Sequence, residues 1–365
     1  MINFKQMKVQ RKSGIELLRI IAIFGVIMIH YYEAVKDFAA DPLSTQSLIL
    51  LRSLSASAVD VFVVISGYFL VCSNTRKLGK TLTLFIQVSL FSEISYFANV
   101  AAGVYDLSLR HIVSSLIPQS YYTTLYVVLY FVSPYLNVVL NRLNIRDLRV
   151  MTCSLFACFS IYSILITLYS EVVNVQWFGL NPVGAWGSQQ GFNIVNFVLL
   201  YIIGAFIRIS RLDEKISCRQ SVLVFFIITA MIICWAEINQ NLPHFGQISA
   251  WCYDNPFVIL QGLFLFFVFK KLNIVSKYIN RLATAAYTVF IIHYIVLSNM
   301  SSLFFYKGMT ITDLVLRYVL FAITIYILSW IIYEIYNYAT KRFFNKCDKI
   351  EFPYFSNRNE DNISY

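Results

Sequence analysis

Residues 16–30 of the chain read ELLRIIAIFGVIMIH, an apolar run that carries Arg19 near its start and His30 at its end. The run has the length and composition of a segment that crosses a lipid bilayer. An arginine at the centre of such a segment costs about 2.5–3.5 kcal/mol, so an ionisable side chain there points to a function or a partner. The two residues are about three helical turns apart, which places them on one helix face about 16 Å apart along the axis.

The composition of the whole chain is that of a membrane protein. Of its 365 residues, 58% are hydrophobic and only 13% are charged. A soluble domain of this size exposes more polar surface, so we predict a polytopic membrane protein. The net charge of +10 comes from basic residues in short loops between apolar segments, a pattern that reflects membrane topology, and nucleic-acid binding is not expected.

The apolar segments predict an all-α, polytopic membrane helix bundle of about ten transmembrane helices. Basic residues recur in alternate loops, so both termini are predicted to be cytoplasmic. Residues 1–340 are predicted to form the membrane domain, and the polar residues 341–365 a disordered cytoplasmic tail. The predicted spans are Ile15–Val35, Leu48–Cys72, Thr81–Gly103, Tyr122–Leu140, Val150–Ser170, Phe192–Ile209, Ser221–Glu237, Asn255–Phe269, Leu282–Met300 and Ile311–Ala339.

His30 is the first candidate for chemistry within the membrane. A histidine there can act as a general base, relay a proton or carry an acyl group. Glu33 follows three positions later on the same helix face and is placed to orient the imidazole ring. The alternative is a histidine that packs between helices and bonds a backbone carbonyl. Glu93 in the third predicted span and His293 in the ninth are further ionisable residues that need partners within the membrane, and both could belong to a structural network.

Two further charged residues in the spans have competing explanations. Arg19 either extends to the lipid headgroups or binds an anionic ligand that enters from the cytoplasm, and Glu16 is near enough in sequence to neutralise it. Asp60 lies near mid-membrane in VDVFVVISGY (59–68) and needs a partner, for which Arg52, Arg317 and a histidine are candidates. A nucleophilic carboxylate is the alternative for Asp60.

Basic residues also precede the third span. Lys77 and Lys80 are three positions apart at a helix start, so they share a face that could bind phosphate. They are equally explained as ordinary basic residues of a cytoplasmic loop. The seven cysteines show no paired metal-ligand spacing, and we expect neither a disulfide framework nor a metal site.

Several segments, in this order, carry a resemblance to a known family. The sequence resembles the membrane acyltransferase-3 family of bacterial integral-membrane enzymes, which transfer acyl groups to cell-envelope glycans. The matching segments are RKSGIELLR (11–19), the spacing from Arg19 to His30, VDVFVVISGY (59–68), YVVLYFVSPYLN (126–137), LYIIGA (200–205) and AYTVFIIH (286–293).

The resemblance implies roles for particular residues. The arginine and histidine of the family map onto Arg19 and His30. The cytoplasmic Arg-x-x-Arg of the family maps onto Lys77 and Lys80, which keep the charge but lose the bidentate guanidinium. The neighbouring Arg76 could compensate. The resemblance thus assigns Arg19, Arg76, Lys77 and Lys80 to binding of the acyl donor.

We therefore expect an integral-membrane O-acyltransferase of the bacterial plasma membrane. The resemblance implies acetyl-CoA, or another acyl-CoA, as donor and a hydroxyl of a cell-surface or lipid-linked glycan as acceptor. His30, with Asp60 and Glu33, is assigned to the catalytic centre, where His30 is either a base or a covalent acyl carrier. The alternative function is a polytopic transporter or flippase of lipid-linked glycans. The expected partners are the sugar acceptor and membrane lipids, without nucleic acid or metal.

Overall fold

The computed structural model describes residues 12–73, 75–117, 120–175, 178–241 and 249–353. Within these ranges the chain forms fifteen α-helices and two short strands. The helices are α1 Gly14–Val35, α2 Pro42–Leu54, α3 Ala58–Leu70, α4 Leu78–Ala101, α5 Leu109–Ser115, α6 Tyr121–Arg142, α7 Ile145–Phe156, α8 Ser163–Val173, α9 Ile194–Ser210, α10 Leu212–Lys215, α11 Cys218–Asn241, α12 Pro256–Lys271, α13 Lys277–Leu282, α14 Ala286–Phe304 and α15 Ile311–Cys347. The strands are β1 Thr75–Lys77 and β2 Glu351–Pro353.

The predicted all-α polytopic bundle is confirmed. In the described part of the chain, nine helical stretches are long and apolar enough to cross a membrane, and α9 is a shorter apolar helix. A π-helical turn joins α7 and α8 into one such stretch. The second stretch begins at Pro42, earlier than predicted, and the last runs on to Cys347.

The helix ends gather at two faces of the bundle. At one face the Ser13 N–H donates to Ile274 O at 2.8 Å, and Lys270 lies 3.8 Å from Asp213. At the other face the N–H groups of Gly308 and Met309 both donate to Phe38 O at 2.9 Å. We call the first the basic face, because it carries the clustered lysines and arginines, and the second the opposite face. The distribution of charge predicts that the basic face is cytoplasmic.

Helices α3 and α9 pack with their backbones in contact. A Cβ added at Gly67 would collide with the backbone of Tyr201, and one added at Gly204 would collide with Val64 O. Small residues allow such an approach in membranes, where van der Waals packing rather than a hydrophobic effect holds helices together. Gly67 therefore serves packing, and this contact fixes α3 in the centre of the bundle.

The second membrane stretch is broken in the middle, between α2 and α3. Ser57 N–H donates to Gln261 Oε1 at 3.2 Å, and Gln261 Nε2 donates to Ser53 O at 2.9 Å and to Thr229 Oγ1 at 2.8 Å. Backbone groups that a helix break exposes inside a bilayer need such partners. The buried amide of Gln261 closes the break, and Asp60 comes to lie in the first turn of α3, where the helix dipole favours negative charge.

The chain beyond residue 340 differs from the expected disordered tail. Helix α15 continues to Cys347, and β2 pairs antiparallel with β1. The Leu78 N–H at the start of α4 donates to Ile350 O at 3.2 Å. Because the first N–H groups of a helix lack partners within it, this segment caps α4. Residues 354–365 lie outside the described part of the chain.

We predict that Gln261→Leu destabilises the protein. The leucine leaves the buried Ser57 N–H without its partner, a loss of about 1–3 kcal/mol. Ser53 O keeps only the bond from the Ala56 N–H at 3.3 Å. The midpoint of thermal unfolding in detergent should fall. Gln46→Leu, on the exposed side of α2, is the matched control. Equal midpoints for the two variants would show that Gln261 does not stabilise the break.

Candidate functional site

Two histidines from distant parts of the chain meet within the bundle. The ring centroids of His30 on α1 and His293 on α14 are 5.0 Å apart. His293 is buried, and its Nδ1 lies 3.1 Å from Val289 O, one turn earlier. Since a ring nitrogen next to a carbonyl oxygen must carry the proton, the neutral ring leaves Nε2 as an acceptor. In the described part of the chain Nε2 has no hydrogen-bond partner, although it is buried.

A cavity of about 330 Å³ leads from the basic face towards this pair. Arg19, Ile23 and Val26 line it along one face of α1, and His30 follows Val26 by one helical turn on that face. The remaining lining residues are mainly apolar and aromatic: Val59, Phe62, Ser66, Lys80, Leu84, Tyr122, Thr123, Tyr126, Ala283, Thr284, Ala286, Tyr287 and Phe290.

Aromatic rings separate the inner end of this cavity from the histidines. The Phe290 ring lies 5.1 Å from the Tyr122 ring and 5.8 Å from the His293 ring. Phe290 precedes His293 by one turn of α14. A narrow ligand in the cavity would thus end at the Phe290 ring, which lies between it and His293.

The mouth of the cavity is cationic. Arg19 Nη1 lies 2.9 Å from both carboxylate oxygens of Glu16, and the arginine side chain remains 31% exposed. Lys80 Nζ lies 3.4 Å from the hydroxyl of Tyr126 and 5.1 Å from the centroid of the Tyr130 ring. Arg19 also lines a second cavity of about 360 Å³ at the basic face, together with Lys12 and Lys270. The entrance therefore suits an anionic group.

Arg76 is not part of that entrance. It is fully buried, and its guanidinium donates to Tyr130 O at 2.9 Å, to Ser133 Oγ at 2.6 Å, and to the carbonyls of Ser73 and Thr75 at 2.9 and 2.8 Å. These bonds tie the chain before α4 to α6. Contrary to the expectation from the sequence, Arg76 is a scaffold residue and does not line the cavity.

Lys77 and Glu33 also lie apart from the expected positions. Lys77 is exposed and is not among the residues that line the described cavity, although its N–H donates to the hydroxyl of Tyr130 at 3.0 Å. Glu33 is exposed and pairs with Lys36 at 2.8 Å. Within the described ranges no hydrogen bond joins Glu33 to His30, so the ring neighbours of His30 are His293 and Tyr294.

A layer of buried charged groups surrounds the break between α2 and α3. Asp60 is 1% exposed, and its Oδ2 has no hydrogen-bond partner among the described residues. The expected ion pair with Arg52, Arg317 or a histidine is not formed within that part of the chain. Arg52 is also buried and lies over the Trp251 ring at 5.0 Å, and its Nε and Nη1 are without hydrogen bonds there.

Asp254, which precedes α12, completes this layer. Its Oδ2 accepts from Ser163 Oγ at 3.0 Å, while Oδ1 has no partner in the described ranges. Polar atoms left without partners in a buried setting are costly and mark places where water or a ligand binds. The sequence did not single out Asp254, since an acid beside a predicted loop is unremarkable. The break between α2 and α3 also leaves no clear pattern in the sequence.

The arrangement supports proton or group transfer at the histidines. A neutral imidazole can take the proton of a hydroxyl group. The cavity gives an anionic molecule with a narrow arm access from the basic face as far as Phe290. In the part of the chain that the structure describes, no three His, Cys, Asp or Glu side chains lie together as metal ligands would.

Comparison with known proteins identifies the family. A family model described as an acyltransferase domain, that of acyltransferase family 3, matches residues 12–334. Comparisons with curated proteins and with solved structures give no match. The matched range includes both histidines, both cations at the cavity mouth and the buried charged layer. The chain therefore belongs to the acyltransferase-3 family.

Proposed function

We propose that the protein is an O-acyltransferase that takes acetyl from acetyl-CoA at the basic face and delivers it to a hydroxyl of a cell-surface or lipid-linked glycan. The observation that carries this proposal is the cavity with Arg19 and Lys80 at its mouth and the His30–His293 pair beyond its inner end. Acyl transfer from an anionic donor needs a binding site for that donor and a base beyond it, and this arrangement provides both.

The donor fits the cavity by its chemistry. CoA carries phosphates on a bulky nucleotide and a thin, largely apolar arm that ends in the thioester. Guanidinium and ammonium groups bind phosphate, so Arg19 and Lys80 would hold the nucleotide end. The arm would follow the face of α1 from Ile23 to Val26. The rise of α1 from Arg19 at the mouth to His30 is about 16 Å.

The reaction follows from the position of His30. A sugar hydroxyl is a weak nucleophile, so His30 would remove its proton while the oxygen attacks the thioester carbonyl. The C–S bond then breaks, the thiolate of CoA leaves, and the proton held by the imidazole is returned to it. The bare Nε2 of His293 gives that proton a second acceptor nearby. In the other route His30 itself carries the acyl group before the hydroxyl attacks.

Family membership favours acyl transfer over the rival function, a transporter or flippase of lipid-linked glycans. The broken second span is the feature that the protein shares with transporters, in which interrupted helices line substrate sites. Here the break adjoins histidines rather than a continuous passage. The proposal places the protein in the bacterial plasma membrane with the basic face towards the cytoplasm, in agreement with its positive charge.

We predict that His30→Ala abolishes acyl transfer. Loss of a general base costs about 10²–10⁴-fold in rate, while expression and membrane insertion should stay near those of the parent. The rate of acyl transfer is measured as the turnover of isotope-labelled acetyl-CoA by the purified protein. His111→Ala on α5, an exposed histidine at the opposite face, is the matched control and should be fully active. Activity of His30→Ala above about a tenth of the parent would exclude the catalytic role.

Charge reversal at the cavity mouth should weaken donor binding. Arg19→Glu and Lys80→Glu are expected to raise KM for acetyl-CoA more than KM for the acceptor, because both remove a cation from the phosphate site. Lys341→Glu, an exposed change at the same face, controls for net charge. If a CoA affinity matrix retains the two variants as strongly as it retains the parent, Arg19 and Lys80 do not bind the donor.

Substitutions at Asp60 separate a structural role from a nucleophilic one. Asp60→Asn should lower activity only in part, because the amide keeps the shape and hydrogen-bonding capacity of the carboxyl group. Asp60→Leu should lower activity further, because leucine removes the polar atoms that this buried position offers to water or a ligand. The nucleophilic role instead requires both variants to be inactive but folded, and an acyl group on residue 60 detected by mass spectrometry.

A further inference from the structure

A second polar cavity, of about 540 Å³, opens at the opposite face of the bundle. Its walls are the end of α8, the connection that follows it, and Cys252 before α12. Polar groups dominate the lining, which comprises Thr167, Ser170, Glu171, Asn174, Asn181, Ser188, Gln189 and Gln190, with Ile166, Val175, Trp186, Gly187 and Cys252. None of these residues takes part in the donor site described above.

We propose that this cavity binds an uncharged sugar unit of the acceptor glycan. The inference deepens the proposed function. It rests on that function in treating the bound glycan as the acceptor of the acyl group. The Trp186 side chain lines the cavity, and the residue is 67% exposed. A large exposed indole beside amide and hydroxyl groups suits a pyranose ring, whose C–H face stacks on an aromatic ring while its hydroxyls pair with polar groups.

The polar groups of the cavity are available for a ligand. The side chains of Asn174, Gln189 and Gln190 are exposed and form no hydrogen bond within the described ranges. Each amide both donates and accepts, which matches sugar hydroxyls. Glu171 adds a carboxylate whose Oε2 is buried without a partner in the same ranges.

The charge of the lining selects among sugars. The lining residues given above include one carboxylate, Glu171, and neither lysine nor arginine. An anionic sugar such as a uronic acid would meet a like charge without a compensating cation. The site therefore favours neutral or N-acylated units.

The backbone at the rim of the cavity is strained. Gln189 and Gln190 have φ of 51° and 57°, two consecutive left-handed residues that are not glycine. Such conformations persist only where the surroundings hold them, and they concentrate at ligand sites. Here Phe192 N–H donates to Gln189 O at 2.9 Å, and Tyr253 N–H donates to Gln190 O at 2.9 Å.

The same contacts join this cavity to the buried charged layer. Tyr253, bonded to Gln190, lies between Cys252 on the cavity wall and Asp254 in the layer. Trp251, one residue earlier, packs under Arg52 and edge-on to Tyr32 at 5.2 Å. The segment 251–254 therefore forms part of the cavity wall through Cys252 and contacts the buried charged layer through Trp251.

Direct binding tests the proposal. Oligosaccharides and lipid-linked saccharides from the envelope of the producing cells are stripped of O-acyl groups with mild base, tritiated, and divided into uncharged and anionic pools. Equilibrium dialysis against the full-length protein in detergent should show binding of the uncharged pool. Trp186→Ala should weaken it about tenfold. Tyr105→Ala, which removes another exposed aromatic at the same face, is the control and should bind like the parent.

The outcomes separate this inference from the proposed function. The site is supported if uncharged oligosaccharides or uncharged lipid-linked saccharides bind the parent protein, bind Trp186→Ala about tenfold more weakly, and bind Tyr105→Ala as they bind the parent. This result supports the site even if the parent protein never consumes acetyl-CoA. Consumption of acetyl-CoA by the parent, without binding of uncharged saccharide or with equal binding by Trp186→Ala, overturns the site alone. Preference for the anionic pool also overturns it.

Discussion

The structure depends on one constraint, the need for every polar backbone group within the bilayer to have a partner. The break after α2 satisfies this constraint through the side chain of Gln261, which bonds Ser53 O and Ser57 N–H from a different helix. Without that amide the Ser57 N–H would lack a partner at the break. The break places Arg52 at the end of one half-helix and Asp60 at the start of the next, so the buried charged layer exists because Gln261 allows it.

The two cavities approach this layer from opposite faces. The one at the basic face is mainly apolar with cations at its mouth, and the one at the opposite face is polar, with a carboxylate and an exposed indole. The proposed donor, a charged cytoplasmic molecule, and the proposed sugar acceptor differ in the same way. Helix α1 links the sides, because a single face of it carries Arg19 at the mouth and His30 beside His293. Such a division lets the reacting groups meet while the bulk of each molecule stays on its own side.

The parts of this arrangement that follow from local patterns could be predicted from the sequence. Long apolar segments gave the all-α membrane bundle, and the helical period gave the shared face of Arg19 and His30. Pairings between distant segments leave no such pattern, so the contact of His30 with His293 was not predicted. The burial of Arg76 does not follow from the sequence, because a basic residue in a loop resembles its exposed neighbours, although here it bonds to α6. The pairing of Glu33 with Lys36 does not follow either, because spacing alone does not show which neighbour an acid will bond.

The ribbon of β1 and β2 bears on the order in which the protein is assembled. It joins residues 351–353 to residues 75–77, directly before the helix that carries Lys80, and Asp348 packs against Gly79. During synthesis α4 enters the membrane long before β2 leaves the ribosome. The Leu78 N–H at the start of α4 therefore lacks its partner, Ile350 O, until that residue has been synthesised. The basic entrance takes its final form only after residues 351–353 have been translated, and a chain terminated before them would lack the ribbon.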